Sequence, residues 1–419
     1  MGRFLQQHQQ QQQQMQLSLD TPDDLPGALL EHGEEAESSV CARRLLCVVA
    51  ILVVFGLTML YSTSYNVAGL RFFKFQILWV LIGSAAGFAA YFVGYRRLTN
   101  YRWLWWIAVF LMLIIAVTCY PPINGAYRWI KIKLPGFSMS IQPSELAKIV
   151  VAISTARFCA DNLRTFNDLR RFKGGMLQLA AILGPIMMGI LIGHDLGTTV
   201  LAILTAFCIM MAAGLRLVYL TIPAALAVFG GVYIYFCDPM RRGRVLSFLD
   251  PERYASDIGY QLWNSLLALG SGGWFGIGFM ESRLKQFYLP ESHTDFILAI
   301  VGEELGLTAL LFLIVLYGLF AWFGMKISLN STSRLGMLLG FGLTCFITMQ
   351  AIINISVISG AAPTKGMPAP FISYGGSNMM VCLIAVGLLL SIAEETASPG
   401  YTERNMQKLR ELWKWIKVW

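Results

Sequence analysis

Ten apolar blocks recur along this 419-residue chain and dominate what it can fold into. Most are about 17 to 25 residues long, and a helix of that length crosses the roughly 30 Å hydrocarbon core of a bilayer. Lys, Arg, Asp and Glu make up only 13% of the residues, about half the share found in an average soluble domain. The sequence therefore predicts an all-α polytopic membrane protein.

The predicted transmembrane helices are defined by these blocks. They lie at 45–63, 76–94, 103–119, 143–160, 175–192, 195–213, 217–236, 295–324, 335–358 and 376–394. Because 295–324 is longer than one bilayer crossing, we expect it to begin above the lipid or to tilt. A long extracytoplasmic loop, 237–294, separates the seventh and eighth helices.

The positions of Lys and Arg orient these helices. With the N-terminus in the cytoplasm, inner segments hold 18 Lys and Arg residues and the short outer loops hold six. Cationic residues are retained on the cytoplasmic side, and long loops cross largely regardless of their charge. Both termini are therefore predicted to be cytoplasmic. Topology, rather than nucleic-acid binding, then explains the formal net charge of +8.

The two ends of the chain differ from its apolar centre, 41–397. Residues 1–40 contain a glutamine tract and acidic, Pro- and Gly-containing sequence, which predicts a disordered cytoplasmic tail. Residues 398–419 include KLRELWKWIKVW, whose interleaved cations and Trp predict an amphipathic helix on the inner leaflet; the alternative is a solvated, frayed end. The eight cysteines form no CxxC pair, so neither a disulfide framework nor a metal site is predicted.

Two residues of opposite charge lie where lipid should exclude charge. Glu145 and Lys148, in IQPSELAK, are three residues apart on one helical face and can pair. The pair either locks two helices together or forms the polar wall of an outward-facing cavity. Asp195, in GHDLGTT, is predicted to cap the sixth helix.

The stretch 259–306 is the most informative part of the chain. It contains the glycine run GSGGWFGIG, which lacks the context of a phosphate-binding loop. Asp295 follows at the entry to the eighth helix, where it either caps the helix or acts as a general base tuned by partial desolvation. Of Glu303 and Glu304, about two turns deeper, we expect at least one to face the bundle interior.

The last outer loop, ISGAAPTKGMPAPFISYGGSN, combines three prolines with several glycines. Such a rigid, non-helical segment is tolerated at membrane depth only if it is buried in protein or lines a wet cavity. Lys365 in this loop either binds an anion or is a solvated cation.

Four blocks together resemble one protein family. They are NGAYRWI at 124–130, IQPSELAK at 141–148, the stretch 259–306 with LPESHTDFI and GEELG, and PTKGMPAPFISYGGSN at 363–378. These blocks resemble the SEDS (shape, elongation, division and sporulation) proteins of bacteria. The runs SRLKQFYLPE and PTKG are closer to the cell-division members than to the elongation members. One departure is His194 before Asp195, which weakens any role built on His194.

The resemblance implies a peptidoglycan glycosyltransferase that polymerises lipid II at the outer face of the cytoplasmic (inner) membrane, during septal cell-wall synthesis. The essential aspartate of the family falls on Asp295. Substrate-binding residues are expected at Arg128, Glu145, Lys148, Lys365 and Ser373. A divalent cation, Mg or Mn, is an expected cofactor at an unknown site.

The expected partners are lipid II and nascent glycan, a class B penicillin-binding transpeptidase, other division proteins and membrane lipid, without nucleic acid. Two alternatives stay open. A lipid II transporter would be supported by inverted repeats and paired discontinuous helices, and no internal repeat is evident. A non-catalytic division scaffold leaves the buried charges unexplained.

Overall fold

The computed structural model describes residues 25–122, 126–134, 137–162, 176–215, 236, 239–286, 288–405 and 407. Its helices are α1 (Leu25–Ala68), α2 (Arg71–Val93), α3 (Tyr95–Asn100), α4 (Arg102–Cys119), α5 (Pro143–Asn162), α6 (Met176–Ile192), α7 (Leu196–Ala212), α8 (Pro239–Leu249), α9 (Tyr260–Gly272), α10 (Ile297–Leu329), α11 (Arg334–Ile358) and α12 (Gly376–Ala397). Two strands, β1 (Ile130–Leu134) and β2 (Phe137–Ile141), lie between α4 and α5.

Nine of the ten predicted spans coincide with helices, and the tenth, 217–236, falls almost entirely outside the described residues. Within the described part of the chain, six helices are long and apolar enough to cross a membrane: Glu37–Tyr65 in α1, α2, α4, α10, α11 and α12. Helices α6 and α7 are apolar but shorter. Helix α5 is more polar than the other helices that match predicted spans, and its Glu145 and Lys148 side chains are buried inside the bundle.

The first helix begins earlier than predicted. Helix α1 starts at Leu25, so residues 25–40 are helical where the composition predicts a disordered tail; residues 1–24 lie outside the described part. Extending an existing helix adds one hydrogen bond per residue, whereas starting a new one is costly. The apolar span therefore supports helix in the Ala-, Leu- and Glu-containing sequence before it. The amphipathic tail predicted from Lys408 also lies outside the described residues.

A short antiparallel hairpin interrupts the otherwise helical fold. Strands β1 and β2 pair from Ile130 with Ile141 to Leu134 with Phe137. The purely helical prediction is wrong at this point. The signal was present in the sequence, because IKIKL alternates apolar and charged residues with the period of a strand.

Helix α10 is broken near its N-terminal end. Gly306 has φ 77° and ψ −174°, a conformation that side-chain-bearing residues rarely adopt. The backbone groups freed there pair with the glycine-rich segment after α9: Ile277 N donates to Glu303 O at 3.0 Å and Leu307 N donates to Gly273 O at 2.9 Å. The break divides the 33-residue helix α10 near its start, and the tilt or extension above the lipid that the sequence predicts stays a prediction.

Close helix packing and polar contacts hold the bundle together. A Cβ atom on Gly387 of α12 would overlap the backbone of Gly87 in α2, so these two helices approach as closely as small residues allow. At one end of the bundle, Arg96 lies 3.6 Å from Glu395. Helices α1 and α10 are paired at that end by Glu37 and Lys326. The candidate functional residues lie at the opposite end.

Candidate active site

Asp295 lies two residues before the first residue of α10, partly exposed, beside the segment that precedes α12. Asn354 of α11 donates through Nδ2 both to Asp295 O, at 2.8 Å, and to Met367 O, at 2.7 Å. A Cβ atom on Gly366 would be 2.9 Å from Asp295 Oδ2, so a larger residue at position 366 would push the carboxylate from this position. Asn354 therefore joins Asp295 to the 363–378 segment, and Gly366 leaves room there for the carboxylate.

An aromatic cluster lies next to Asp295. The Phe72 and His293 rings are stacked, with centroids 4.6 Å apart and planes 9° apart, and Tyr374 lies 4.9 Å from Phe72. Tyr374 N donates to His293 O at 3.0 Å, which joins the residues before α10 to the 363–378 segment a second time. Burial lowers the pKa of His293, although Glu291 opposes this effect. His293 is therefore a neutral neighbour of Asp295 at physiological pH.

The surroundings of Asp295 favour its protonated form. Burial, followed by the charge of Glu291, raises the pKa of Asp295 to about 7. Asp195 and Glu145 raise this pKa further, while Arg128 lowers it. A carboxylate that accepts a proton near pH 7 suits general base catalysis.

Glu145 and Lys148 form a buried ion pair in α5. Lys148 Nζ lies 2.7 Å from Glu145 Oε2, with the two side chains 1% and 6% exposed. Lys148 also donates to Gln350 Oε1 at 2.8 Å, and Gln350 Nε2 donates to Pro368 O at 2.7 Å and to Asn378 Oδ1 at 2.9 Å. Through Gln350, the pair therefore locks α5 to α11 and to the 363–378 segment, which is one of the two roles that the sequence left open. A substrate contact stays a prediction.

Asp195 caps α7, as predicted. Its Oδ1 accepts from Thr198 N at 3.3 Å. Its Oδ2 accepts from Ser144 Oγ at 2.8 Å, from Gln142 Nε2 at 2.9 Å and from Thr198 Oγ1 at 2.9 Å. Asp195 is fully occupied by these bonds. It fixes the start of α7 against the start of α5, which holds Glu145 near the site.

Two cations, Arg128 and Lys365, border the site, and Arg128 forms a salt bridge with Asp195. Arg128 Nη1 lies 3.8 Å from Asp195 Oδ1, and Arg128 Nη2 donates to His194 O. The Cε atom of Lys365 lies 3.2 Å from the position of a Cβ on Gly197, at the start of α7. Burial lowers the pKa of Lys365, against the opposing charge of Asp195. Both cations can thus meet an incoming anion.

Ser373 is buried within the 363–378 segment. It is 1% exposed, and its hydroxyl accepts from Ala369 N at 2.8 Å. Gln76 Nε2 donates to the Ser373 carbonyl at 3.2 Å. In this position Ser373 shapes the 363–378 segment through internal hydrogen bonds, and a substrate contact stays a prediction.

Glu303 and Glu304 both face the interior, which confirms the prediction made for at least one of them. Their partners include Lys285, which the sequence did not single out. Asn354 and Gln350 were also missed. The available signal was the presence of polar amide residues within the otherwise apolar span 335–358.

The site does not offer a complete protein-built metal centre. Among the described residues, no group of three His, Cys, Asp or Glu side chains is arranged to hold a metal ion. Asp195 is engaged in four hydrogen bonds and Glu145 is paired with Lys148. These carboxylates do not fit a dedicated ligand set for the expected divalent cation.

Comparison with known proteins matches this chain to one protein family and to named members of it. A family model described as "Cell cycle protein", covering FtsW, RodA and SpoVE, matches residues 42–398. A relative from Geobacter sp. (strain M18), named a probable peptidoglycan glycosyltransferase FtsW, is 34% identical over 359 residues, which cover 83% of this chain and 95% of the relative. A protein of the same name from Methylococcus capsulatus (strain ATCC 33009 / NCIMB 11132 / Bath) is 34% identical, covering 84% and 90%.

Solved structures share the fold. A chain from a structure described as "Structural coordination of polymerization and crosslinking by a peptidoglycan synthase complex" matches with a TM-score of 0.71 and 25% identity, covering 84% of this chain and 97% of that one. The crystal structure of the rod shape determining protein RodA of Thermus thermophilus matches with a TM-score of 0.62 and 23% identity, covering 84% and 96%. The second match supports the fold alone.

Proposed function

This chain belongs to the SEDS family of bacterial cell cycle proteins, and we propose that it is a peptidoglycan glycosyltransferase that polymerises lipid II. The observation that carries the proposal is Asp295, whose pKa of about 7 suits a general base. Arg128 and Lys365 border the same site with positive charge. A base beside cations is the arrangement that transfer from a pyrophosphate-linked donor needs.

In the proposed reaction, Asp295 removes the proton from the 4-hydroxyl of the acceptor N-acetylglucosamine. The oxygen attacks the anomeric carbon of the donor chain, the bond to undecaprenyl pyrophosphate breaks, and the configuration inverts. Negative charge then develops on the leaving pyrophosphate. Arg128 and Lys365 are placed to stabilise it, while Lys148 is already engaged by Glu145 and Gln350.

The proposal includes a topology. Ten transmembrane helices with both termini in the cytoplasm would place Asp295, the hairpin and the 363–378 segment on the outer face of the cytoplasmic membrane. The count of Lys and Arg residues supports this orientation. The inner end would then contain the Arg96–Glu395 and Lys326–Glu37 pairs.

We further propose a class B penicillin-binding transpeptidase as partner and the division septum as the place of action. The solved complex similar to this chain is described as coordinating polymerization and crosslinking. The curated relatives carry the name FtsW. A divalent cation, if required, would draw ligands largely from the pyrophosphate of the substrate, because the protein carboxylates are already engaged.

The deciding experiment is reconstitution of the purified chain with lipid II, with and without a cognate transpeptidase and with and without Mg²⁺ or Mn²⁺. We expect glycan strands from the wild type and none from Asp295→Asn, which should still enter the membrane and bind the partner. Normal glycan synthesis by Asp295→Asn would refute the assignment of the base.

A lipid II transporter is the second candidate, favoured by one observation: α10 is discontinuous at Gly306, as helices in transporters often are. The break, however, is closed by backbone bonds from 273–278. Movement of labelled lipid II across a liposome membrane without polymer formation would favour the transporter.

A further inference from the structure

Glu303 holds the residues that lead to Asp295. We define the Asp295 loop as residues 280–286 and 288–296. Glu303 Oε2 accepts from Ser282 Oγ, and Glu303 Oε1 accepts from Arg283 N at 3.1 Å. A carboxylate that accepts side-chain and backbone donors together fixes both the position and the direction of the chain.

Lys285 joins the same loop to two helices. Its Nζ atom donates to Glu304 Oε1 of α10 at 2.6 Å, to Ser62 Oγ of α1 at 3.1 Å and to Met280 O at 2.8 Å. Ser62 Oγ also lies 2.8 and 2.6 Å from the two Glu304 oxygens. The Lys285 and Glu304 side chains are 1% and 0% exposed. This charge is therefore buried and fully partnered.

We propose that Lys285 is a positioning residue for Asp295, through its buried ion pair with Glu304. The proposal rests on the function proposed above for Asp295. Lys285 and Glu304 are 19 residues apart in the sequence, and Asp295 lies between them, ten residues after Lys285 and nine before Glu304. Both ends of the loop are thereby attached to α10, so the carboxylate has one position from which to reach the acceptor hydroxyl.

The energetics explain why this pair would serve position more than stability. Burying two charges removes their hydration at a large free-energy cost, and apolar residues of similar size often stabilise a fold equally well. An ion pair with several hydrogen bonds, in contrast, tolerates one arrangement only. A misplacement of about 1 Å at a catalytic group can lower the rate about 100-fold.

The test compares a charge-neutral double variant with a matched control. Lys285→Met alone leaves Glu304 buried without its cation and is expected to fold poorly. Lys285→Met combined with Glu304→Gln removes both charges and retains an amide partner for Ser62. The control is Lys326→Met, which breaks the half-exposed pair with Glu37 at the opposite end of α10.

Two measurements on the reconstituted full-length protein decide the matter. Hydrogen–deuterium exchange reports the loop without reference to activity, and we expect the double variant to lose protection in the Asp295 loop while α11 and α12 remain protected. Polymerisation kinetics should show kcat falling about 10- to 100-fold with KM for lipid II within about twofold. The control should match the wild type in both.

Each opposing result has a separate meaning. Unchanged exchange in the Asp295 loop, or unchanged kcat, would overturn the positioning role. Loss of protection in every helix would also overturn it, because the pair would then stabilise the whole bundle. If the wild type itself makes no polymer, the proposed function fails, while the exchange data still decide whether the pair orders the loop.

Discussion

The pH dependence of polymerisation should report the protonation of Asp295. With a pKa of about 7, the carboxylate fraction rises from about one tenth at pH 6 to about nine tenths at pH 8, since each pH unit changes the ratio of the two forms tenfold. Because the pKa is raised, the base is lost as the pH falls through 7. We therefore expect kcat/KM to increase about tenfold from pH 6 to pH 8. At the ordinary value of 3.8, the base would be ionised throughout.

Glu291 provides the perturbation that tests the cause. After burial, its charge is the largest contribution that raises the pKa of Asp295. Glu291→Gln removes this charge while its amide oxygen can still accept from Thr294 Oγ1, which lies 2.6 Å from Glu291 Oε2. We expect the acid limb of the kcat/KM profile to move to lower pH. Glu281→Gln, which removes an exposed carboxylate from the same loop, is the matched control and should leave the profile unchanged.

The assay is initial-rate polymerisation of labelled lipid II in proteoliposomes, with the rate at each pH measured below the KM. A profile that is flat between pH 6 and pH 8 would refute the argument from burial. An equal shift in Glu291→Gln and Glu281→Gln would assign the effect to general surface charge rather than to the surroundings of Asp295.

Three further substitutions test the architecture. Gly306→Ala should destabilise the fold by about 1–3 kcal/mol through positive-φ strain, in addition to the overlap of its Cβ with the Trp274 carbonyl, and should lower the melting temperature. The control Gly270→Ala, whose Cβ would have no atom within 4 Å, should not lower it. Equal melting temperatures of the two variants would contradict the break. Lys148→Met should cost about 3–5 kcal/mol in unfolding free energy, and adding Glu145→Gln should recover much of it; additive losses would argue against a coupled pair. Gly366→Ala should displace the catalytic carboxylate, 2.9 Å from the new Cβ, and lower kcat about tenfold or more at unchanged thermal stability; wild-type kcat would contradict this contact.

The apolar blocks predicted the helices well because the signal for a transmembrane helix is local. Length, hydropathy and the scarcity of charge within one block are sufficient to place it, and α4, α6, α7 and α11 begin and end within about two residues of the predicted bounds. The cap at Asp195 was predictable for the same reason, since the capping residue and Thr198 are three positions apart.

Less local features were missed or left open. The hairpin β1–β2 is an alternating segment too short to stand out beside the long apolar blocks. The break at Gly306 could not be inferred from GEELG alone, because it is stable only where 273–278 supplies the backbone partners. Whether the Glu145–Lys148 pair locks two helices together depended on Gln350, which lies 202 residues from Lys148.

The sequence by itself determined that this chain is a multi-helix membrane protein, and it placed Asp295 at the entry to a helix with acidic residues following. Only the tertiary structure decided what surrounds that carboxylate. Asn354 reaches Asp295 across 59 residues, and Lys285 reaches Ser62 across 223. The pKa, position and cationic neighbours of Asp295 arise from such distant contacts, because burial and charge act through space and depend on how the helices pack.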